Sequence, residues 1–335
     1  MGSTVKGGNE ASVRKRSRIL DTLLNQRGLT LLLLVILISI VMSLLFPESY
    51  FSYQNLAAIL LSLSLEGVLA IGMMYLIVSG AFDLSIGSNV ALGGVICAYL
   101  LKHWANFPIP IAVLAGIAVS AAAGLANGLL VAKLKINALI ATLAMSGVLR
   151  GIAILIAGAG ISGLPERFTY IGQVICLGLQ LPVYYLLFLV LLSAFLLAKT
   201  RYFRQLYFIG GNIKAAELSG INAARSIIVN FIIMGLLAGI SGVVVAARLR
   251  TAIGNLGAGV EMRVITAVII GGGSLMGGRG DILGAFMGAL FMGVLNNVMV
   301  IAGVNVYYQS IVIGLVLIGA VSIDAFLQRK YGGIR

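Results

Sequence analysis

The chain has little with which to do solution chemistry. Of its 335 residues only ten are acidic and 23 basic, one is histidine and two are cysteine. The lone His103 excludes a multi-histidine metal site. Cys97 and Cys176 both lie in apolar surroundings and do not make a disulfide framework. No Gly-Lys pair occurs, so no P-loop can cradle nucleotide phosphates. Charged residues are 10 % of the chain, against about 25 % in a soluble domain. So few charges cannot screen a composition that is 60 % apolar. A soluble enzyme, a nucleic-acid-binding domain and a disordered chain are therefore excluded. A membrane enzyme would need His, Asp, Glu or Cys clustered near one face, which His103 and two distant cysteines do not supply.

What is present is long apolar runs, at about 28–46, 56–78, 88–101, 109–131, 138–158, 183–198, 227–247, 264–276, 283–302 and 307–326. A helical span needs about 20 mostly apolar residues, and the runs are continuous rather than alternating, which excludes a transmembrane barrel. The expected fold is an all-α polytopic membrane protein of about ten spans. Eight spans with re-entrant pieces is the alternative. The net charge of +13 fits basic loops on the cytoplasmic face better than nucleic-acid binding. With an inward N-terminus, 17 basic residues fall on the cytoplasmic side and five on the outer side: Lys102, Arg167, Arg248, Arg250 and Arg263. The divisions read as a cytoplasmic tail 1–27, a transmembrane body 28–326 containing the long loop 199–226, and a cytoplasmic tail 327–335. The first run is too long for a signal peptide and lacks a cleavage site, so it reads as a retained span.

Two glycine-rich segments, 79–89 and 271–281, interrupt the helical pattern. Gly80, Leu84 and Gly87 match Gly271, Leu275 and Gly278 at an offset of 191, which suggests an internal repeat. Transporters place such broken helices in corresponding positions of two halves to build a path. Asp83 can cap the helix that follows it by accepting the N–H of Ser85 or Ile86. Glu66 and Arg150 are intramembrane charges, costly and hence functional candidates; Arg150 is expected to pair with an acid across the bundle. Glycine pairs four apart, Gly124/Gly128, Gly147/Gly151, Gly235/Gly239 and Gly280/Gly284/Gly288, read as helix packing. In the long loop, Asn212 reads as an N-cap, residues 214–219 as a short helix and Gly220 as its left-handed stop. This helix is a docking element for a soluble partner or, alternatively, lies on lipid. A small apolar face is expected of Ala215, Ala216 and Leu218, oriented by Lys214 and Glu217.

The segment Gly80-Ala81-Phe82-Asp83-Leu84-Ser85-Ile86-Gly87-Ser88 resembles the Gly-x-x-Asp-Leu-Ser-x-Gly-Ser signature of monosaccharide ABC importer permeases of the ribose, arabinose and galactose type. Segments 141–151, 209–222, 272–280 and 295–297 are similar to further blocks of that family, in the same order, across residues 50–326. Phe82 stands where a smaller residue is usual. The resemblance implies a permease in the bacterial inner membrane and no cofactor on this chain, with ATP and magnesium on a separate cytoplasmic ABC ATPase. It also implies a second permease subunit, identical or paralogous, and a periplasmic sugar-binding protein. Loop 199–226 would couple to the ATPase. A path poor in fixed charge suits a neutral polar solute, hydrogen-bonded by groups such as Ser85, Ser88, Asn89, Asn296 and Asn297, with Asp83 and Ser274 as further candidates at the path or the broken helices. A self-powered secondary transporter or channel is the competing class, but it lacks an evident cluster of coupling acids.

Overall fold

The computed structural model describes residues 27–331. The predicted tail 1–27 falls almost wholly outside the described residues. The C-terminal helix continues to Tyr331, into the predicted tail 327–335. The described residues form an all-helical bundle with two small strand pairs.

Eight helices are long and apolar enough to cross a membrane. They are α1 (Arg27–Leu45), α3 (Tyr53–Val78), α5 (Ile109–Ala132), α6 (Ala138–Ala157), α8 (Leu181–Lys199), α11 (Ala223–Leu249), α13 (Ile282–Ile301) and α14 (Val306–Tyr331). The other two runs behave differently. Run 88–101 becomes α4 (Ile86–His103), an 18-residue helix at the centre of the bundle, buried almost throughout its first two-thirds. Run 264–276 becomes α12 (Val260–Ile270). Its 11 residues reach only about 16 Å at 1.5 Å per residue, about half of a bilayer core. The glycines at the end of that run are not helical, so eight of the ten apolar runs become helices that are both long and apolar enough to cross a membrane.

Four short helices complete the chain: α2 (Pro47–Tyr50), α7 (Glu166–Gln173), α9 (Arg201–Gly211) and α10 (Ile213–Leu218). Strands β1 (Ile161–Ser162) and β4 (Thr251–Ala252) pair antiparallel, as do β2 (Ile175–Cys176) and β3 (Leu179–Gln180). Leu177 and Gly178 both have positive φ between β2 and β3, as a two-residue hairpin turn requires. All four strands lie at one end of the bundle, the strand end. The two breaks, α9 and α10 lie at the other, the break end.

The bundle is tightest where side chains are smallest. Helices α5 and α11 cross through Gly124, Gly128, Gly235 and Gly239. A Cβ on Gly124 would lie 3.0 Å from the Phe231 carbonyl carbon, and one on Gly239 would lie 2.8 Å from the Ile117 Cα. Gly284 and Gly288 likewise seat α13 on the end of α12. Gly147 and Gly151 depart from the expectation: nothing lies within 4 Å of a Cβ at either. They sit on an outward face of α6 and pack no helix among the described residues. Helix α14 lays Ile313, Val316, Leu317, Ala320 and Val321 against the core and turns its other face outward.

Candidate translocation site

Both breaks begin the same way. At the end of α3 the Gly80 N–H donates to the Ile77 carbonyl (3.0 Å) and Ala81 to Leu76 (2.9 Å), with Gly80 at φ +82°. At the end of α12, Gly272 donates to Ile269 (3.0 Å) and Gly273 to Val268 (2.9 Å), with Gly272 at φ +104°. This is the glycine-terminated helix end in which a left-handed residue turns the chain back onto the last carbonyls. The geometry equates Gly80 with Gly272, an offset of 192. The sequence offset of 191 is one residue short, because Gly271 is still in right-handed conformation.

The breaks then meet. The Gly278 N–H donates to the Val78 carbonyl at 2.9 Å, linking the second break to the last residue of α3. Gly210, near the end of α9, lies against both. A Cβ there would fall 2.5 Å from the Gly278 nitrogen and 3.0 Å from the Val78 carbonyl carbon. Tyr207 of α9 donates its hydroxyl to the Gly280 carbonyl (2.7 Å). The signal for this junction was present as Gly210-Gly211 before Asn212, but nothing local to it says what it touches.

The polar residues of the first break are buried and face one another. The Asp83 carboxyl accepts from the Ser85 N–H (2.7 Å) and the Ser85 hydroxyl (2.6 Å), so it caps α4 as expected. Asn127 of α5 donates to the Ser85 hydroxyl (2.8 Å) and, at 3.4 Å, to the Asp83 carboxyl. The Leu84 N–H donates to Thr142 of α6 (3.0 Å). Ser88 shares a hydrogen bond with Ser146 (2.9 Å), and Asn89 donates to the Ser120 carbonyl (3.1 Å). Asn230 of α11 reaches the Ser79 hydroxyl at 3.3 Å. In the second break, Ser274 is buried and donates to Asp324 of α14 (3.2 Å), while Asp281 caps α13 by accepting from the Gly284 N–H (2.7 Å). Asn297 pairs reciprocally with Asn55 near the strand end (2.7 and 3.3 Å). Asn296 is its half-buried neighbour. The candidate polar residues thus fall into three places: a cluster at the first break, Ser274 at the second, and Asn296 and Asn297 at the strand end.

The intramembrane charges lie elsewhere. Glu66 stands at the midpoint of α3, and its partner is Arg263 of α12 at 2.6 Å. Arg263 was expected in an outer loop. It lies inside α12, because the chain between β4 and α12 descends into the bundle before the helix starts. Arg150 makes no close ion pair among the described residues, although the Glu261 carboxylate acts on it from farther off. Its guanidinium donates to the carbonyls of Gly254 (2.7 Å) and Leu256 (2.6 Å).

At the break end, Asn212 caps α10 by accepting from the Ala215 N–H (3.0 Å). Helix α10 runs one residue earlier than expected. Gly220 adopts φ +82°, donating to Glu217 (2.9 Å), while Ile221 donates to Ala216 (3.0 Å), as its role of helix stop requires. Ala216 departs from expectation. It is buried in the main core, while Leu218 is 91 % exposed and Ile213, Lys214, Ala215 and Glu217 face outward. The ridge open to a partner is therefore Ile213, Lys214, Ala215, Glu217 and Leu218. Beside it, a cavity of about 590 Å³ between α9 and α11 is lined by Tyr202, Gln205, Arg225 and Ser226 among others.

Residues 55–321 match a family model described as the branched-chain amino acid transport system / permease component. The chain belongs to this permease family. Among its relatives, the ribose import permease protein RbsC of Escherichia coli (strain K12) is 37 % identical over 300 residues, which is 88 % of this chain and 92 % of the relative. The autoinducer 2 import system permease protein LsrC of Enterobacter sp. (strain 638) is 34 % identical, over 92 % of this chain and 90 % of the relative. The L-arabinose ABC transporter permease protein AraH of Azospirillum brasilense is 34 % identical over the same shares. No solved structure matches the permease. The resemblance carried by the sequence blocks and the relatives therefore agree. The family description names amino acids, whereas these relatives are named for ribose, arabinose and autoinducer 2.

Proposed function

We propose that the permease is the membrane subunit of an ATP-driven importer in the bacterial inner membrane, passing a monosaccharide or similar neutral polar solute. A periplasmic binding protein delivers the solute, a cytoplasmic ABC ATPase drives transport, and a second permease subunit completes the path. The observation that carries this reading is the match, over about nine-tenths of both chains, to permeases named for ribose and arabinose import. The junction at Gly210 supports it. Loop 199–226, the segment assigned to ATPase coupling, touches both helix breaks through the Gly210 backbone, and the second also through the Tyr207 hydroxyl. On this reading the break end is cytoplasmic, as are both termini. The buried set Asp83, Ser85, Ser88 and Asn89 holds the shape of the first break beside the path. Ser274, Asn296 and Asn297 border the path at its two ends.

The deciding experiment is affinity capture of the native complex, followed by uptake of labelled ribose, arabinose, galactose and leucine in reconstituted vesicles. Capture of an ABC ATPase and a solute binder, with ATP-dependent uptake of a sugar, is the expected result. ATP-dependent uptake of leucine alone would move the substrate to the amino-acid class of the family description. Uptake without any ATPase would make the chain a secondary carrier. The purified chain alone should hydrolyse no ATP, since it lacks a phosphate-cradling loop. Cysteines at Ser12, Ala215 and Gly332 should all resist labelling from outside intact spheroplasts.

A further inference from the structure

A non-helical strap crosses the middle of the bundle. After β4 the chain runs through residues 253–259 as consecutive turns, with Gly257 at φ +73° and Gly259 at +78°, before α12 begins. Its depth follows from what holds it. Arg150 lies 12 residues along α6 from the break end, about 18 Å along the axis, and 7 residues, about 10 Å, from the strand end. Its guanidinium grips the Gly254 and Leu256 carbonyls. The strap is wedged in place. A Cβ on Gly254 would lie 2.5 Å from the Ile154 Cα, and one on Gly257 would lie 2.7 Å from the Gly87 carbonyl oxygen. Glu66 of α3, about 20 Å from either end of its helix, pairs with Arg263 one turn after the strap.

Irregular backbone and ionised side chains at this depth cannot face lipid, because hydrocarbon offers no hydrogen bonds. Yet this region is not sealed inside the chain. Asn255 and Ala258 are exposed, Met262 is 45 % exposed, and Arg263 and Glu66 keep 26 % and 14 % of their surface open. The geometry points to strap 253–259 as the mid-membrane lining of the solute path, wet rather than lipid-facing. Asn255 presents an amide to the solute, the Glu66–Arg263 pair borders it, and Arg150 is the positioning residue that keeps the strap in place. This rests on the permease reading above and deepens it: the solute-contacting surface at mid-depth is the strap, while the two glycine breaks lie nearer one end. Two acids, Glu66 and Glu261, and two arginines, Arg150 and Arg263, flank the strap; balanced fixed charges beside an amide suit a neutral, hydroxyl-rich solute over an ion of either sign.

The test uses the assembled importer with Cys176, which is exposed, replaced by Ser; buried Cys97 stays. Cysteines are placed at Asn255, at Ala258 and at Leu191, the last an outward apolar position near the middle of α8. Each is challenged with a membrane-impermeant, charged methanethiosulfonate. Asn255→Cys and Ala258→Cys should react at least tenfold faster than Leu191→Cys, and saturating solute-loaded binding protein with ATP should change their rate. If both react no faster than Leu191→Cys in every state, the strap faces lipid or a subunit contact and the proposal fails. Reaction with no associated ATPase or uptake would instead sink the importer reading and leave the wet strap standing. For Arg150, Arg150→Lys keeps the charge but loses the planar fork that holds two carbonyls. It should lower the maximal uptake rate tenfold or more at unchanged half-saturating concentration of loaded binding protein, and alter Asn255→Cys reactivity. Unchanged reactivity and unchanged maximal rate would remove Arg150 from this role.

Discussion

The two helix breaks end their first helices identically and part company afterwards. The first takes seven residues from Val78 to the start of α4, the second eleven from Ile270 to the start of α13. The first is fastened by side chains from neighbours far along the chain: Asn127 of α5, Thr142 of α6 and Asn230 of α11. It exposes almost nothing, and Asp83 and Ser85 are fully buried. The second is tied to its neighbours by Tyr207 of α9 and Asp324 of α14, but its tip is built from its own backbone. Ser274 N–H bonds the Arg279 carbonyl (3.3 Å), Gly277 bonds Ser274 (2.9 Å), and Met276 stands 75 % exposed at its tip. A bend closed by side chains is locked by the surrounding helices. One closed by glycine backbone is free to change shape when something pushes its tip.

That contrast is broken most severely where the two bends touch. Gly210→Val places a branched side chain between the Val78 and Gly278 backbones, neither of which can step aside as a rotamer. The expected cost is about 3 kcal/mol or more, with uptake abolished and permease abundance reduced in membrane blots. Next in size is the difference between the two caps. Asp83→Ala strands the Ser85 N–H and O–H donors in a buried site, at about 3 kcal/mol. Asp281→Ala removes an exposed N-cap, at about 1 kcal/mol. Thermal unfolding of the purified permease in detergent should rank the two in that order, and equal losses would erase the distinction between a side-chain-locked and a backbone-built bend.

Gly220→Val comes third. Nothing lies within 4 Å of a Cβ at Gly220, so only the left-handed backbone resists it, at roughly 1–2 kcal/mol. The protein should reach the membrane at near-normal levels while uptake and transport-linked ATPase stimulation are lost. Normal uptake would remove loop 199–226 from coupling. The smallest effect is expected at the open tip of the second bend. Met276→Ala should change stability by less than about 0.5 kcal/mol, and a larger loss would mean that the tip is packed in the assembled complex.

The parts readable in the sequence were those written locally. Asp83 as a cap, Asn212 as a cap and Gly220 as a stop each depend on residues within a few positions. Long apolar runs likewise announced the spans. The exception, α12, was overcounted because its glycines extend an apolar run beyond the end of the helix. What could not be read was tertiary. Glu66 is polar in an apolar helix and so was visible, but Arg263, 197 positions away, was not identifiable as its partner. Arg150 was expected to seek an acid. It has Glu261 in range, but its direct partners are carbonyls of a segment that no periodicity marks as lying deep in the bundle. Gly147 and Gly151 have the same spacing as the packing pairs but meet nothing, because spacing cannot say whether a helix face has a neighbour.

The glycine contact at Gly210 has a mechanical consequence. Ordinary helix contacts pass through side chains, whose rotamers yield and so damp a small shift. Here three backbones touch with no side chain between them, and a hydrogen bond ties two of the three together. Such a joint has no slack. A displacement of α9 by an ångström must be taken up by Val78, by Gly278 or by both, within the same motion. The bend whose tip, Met276, stands open is the compliant one, so it yields first, and the bend fastened from three neighbouring helices acts as the fulcrum against which it turns.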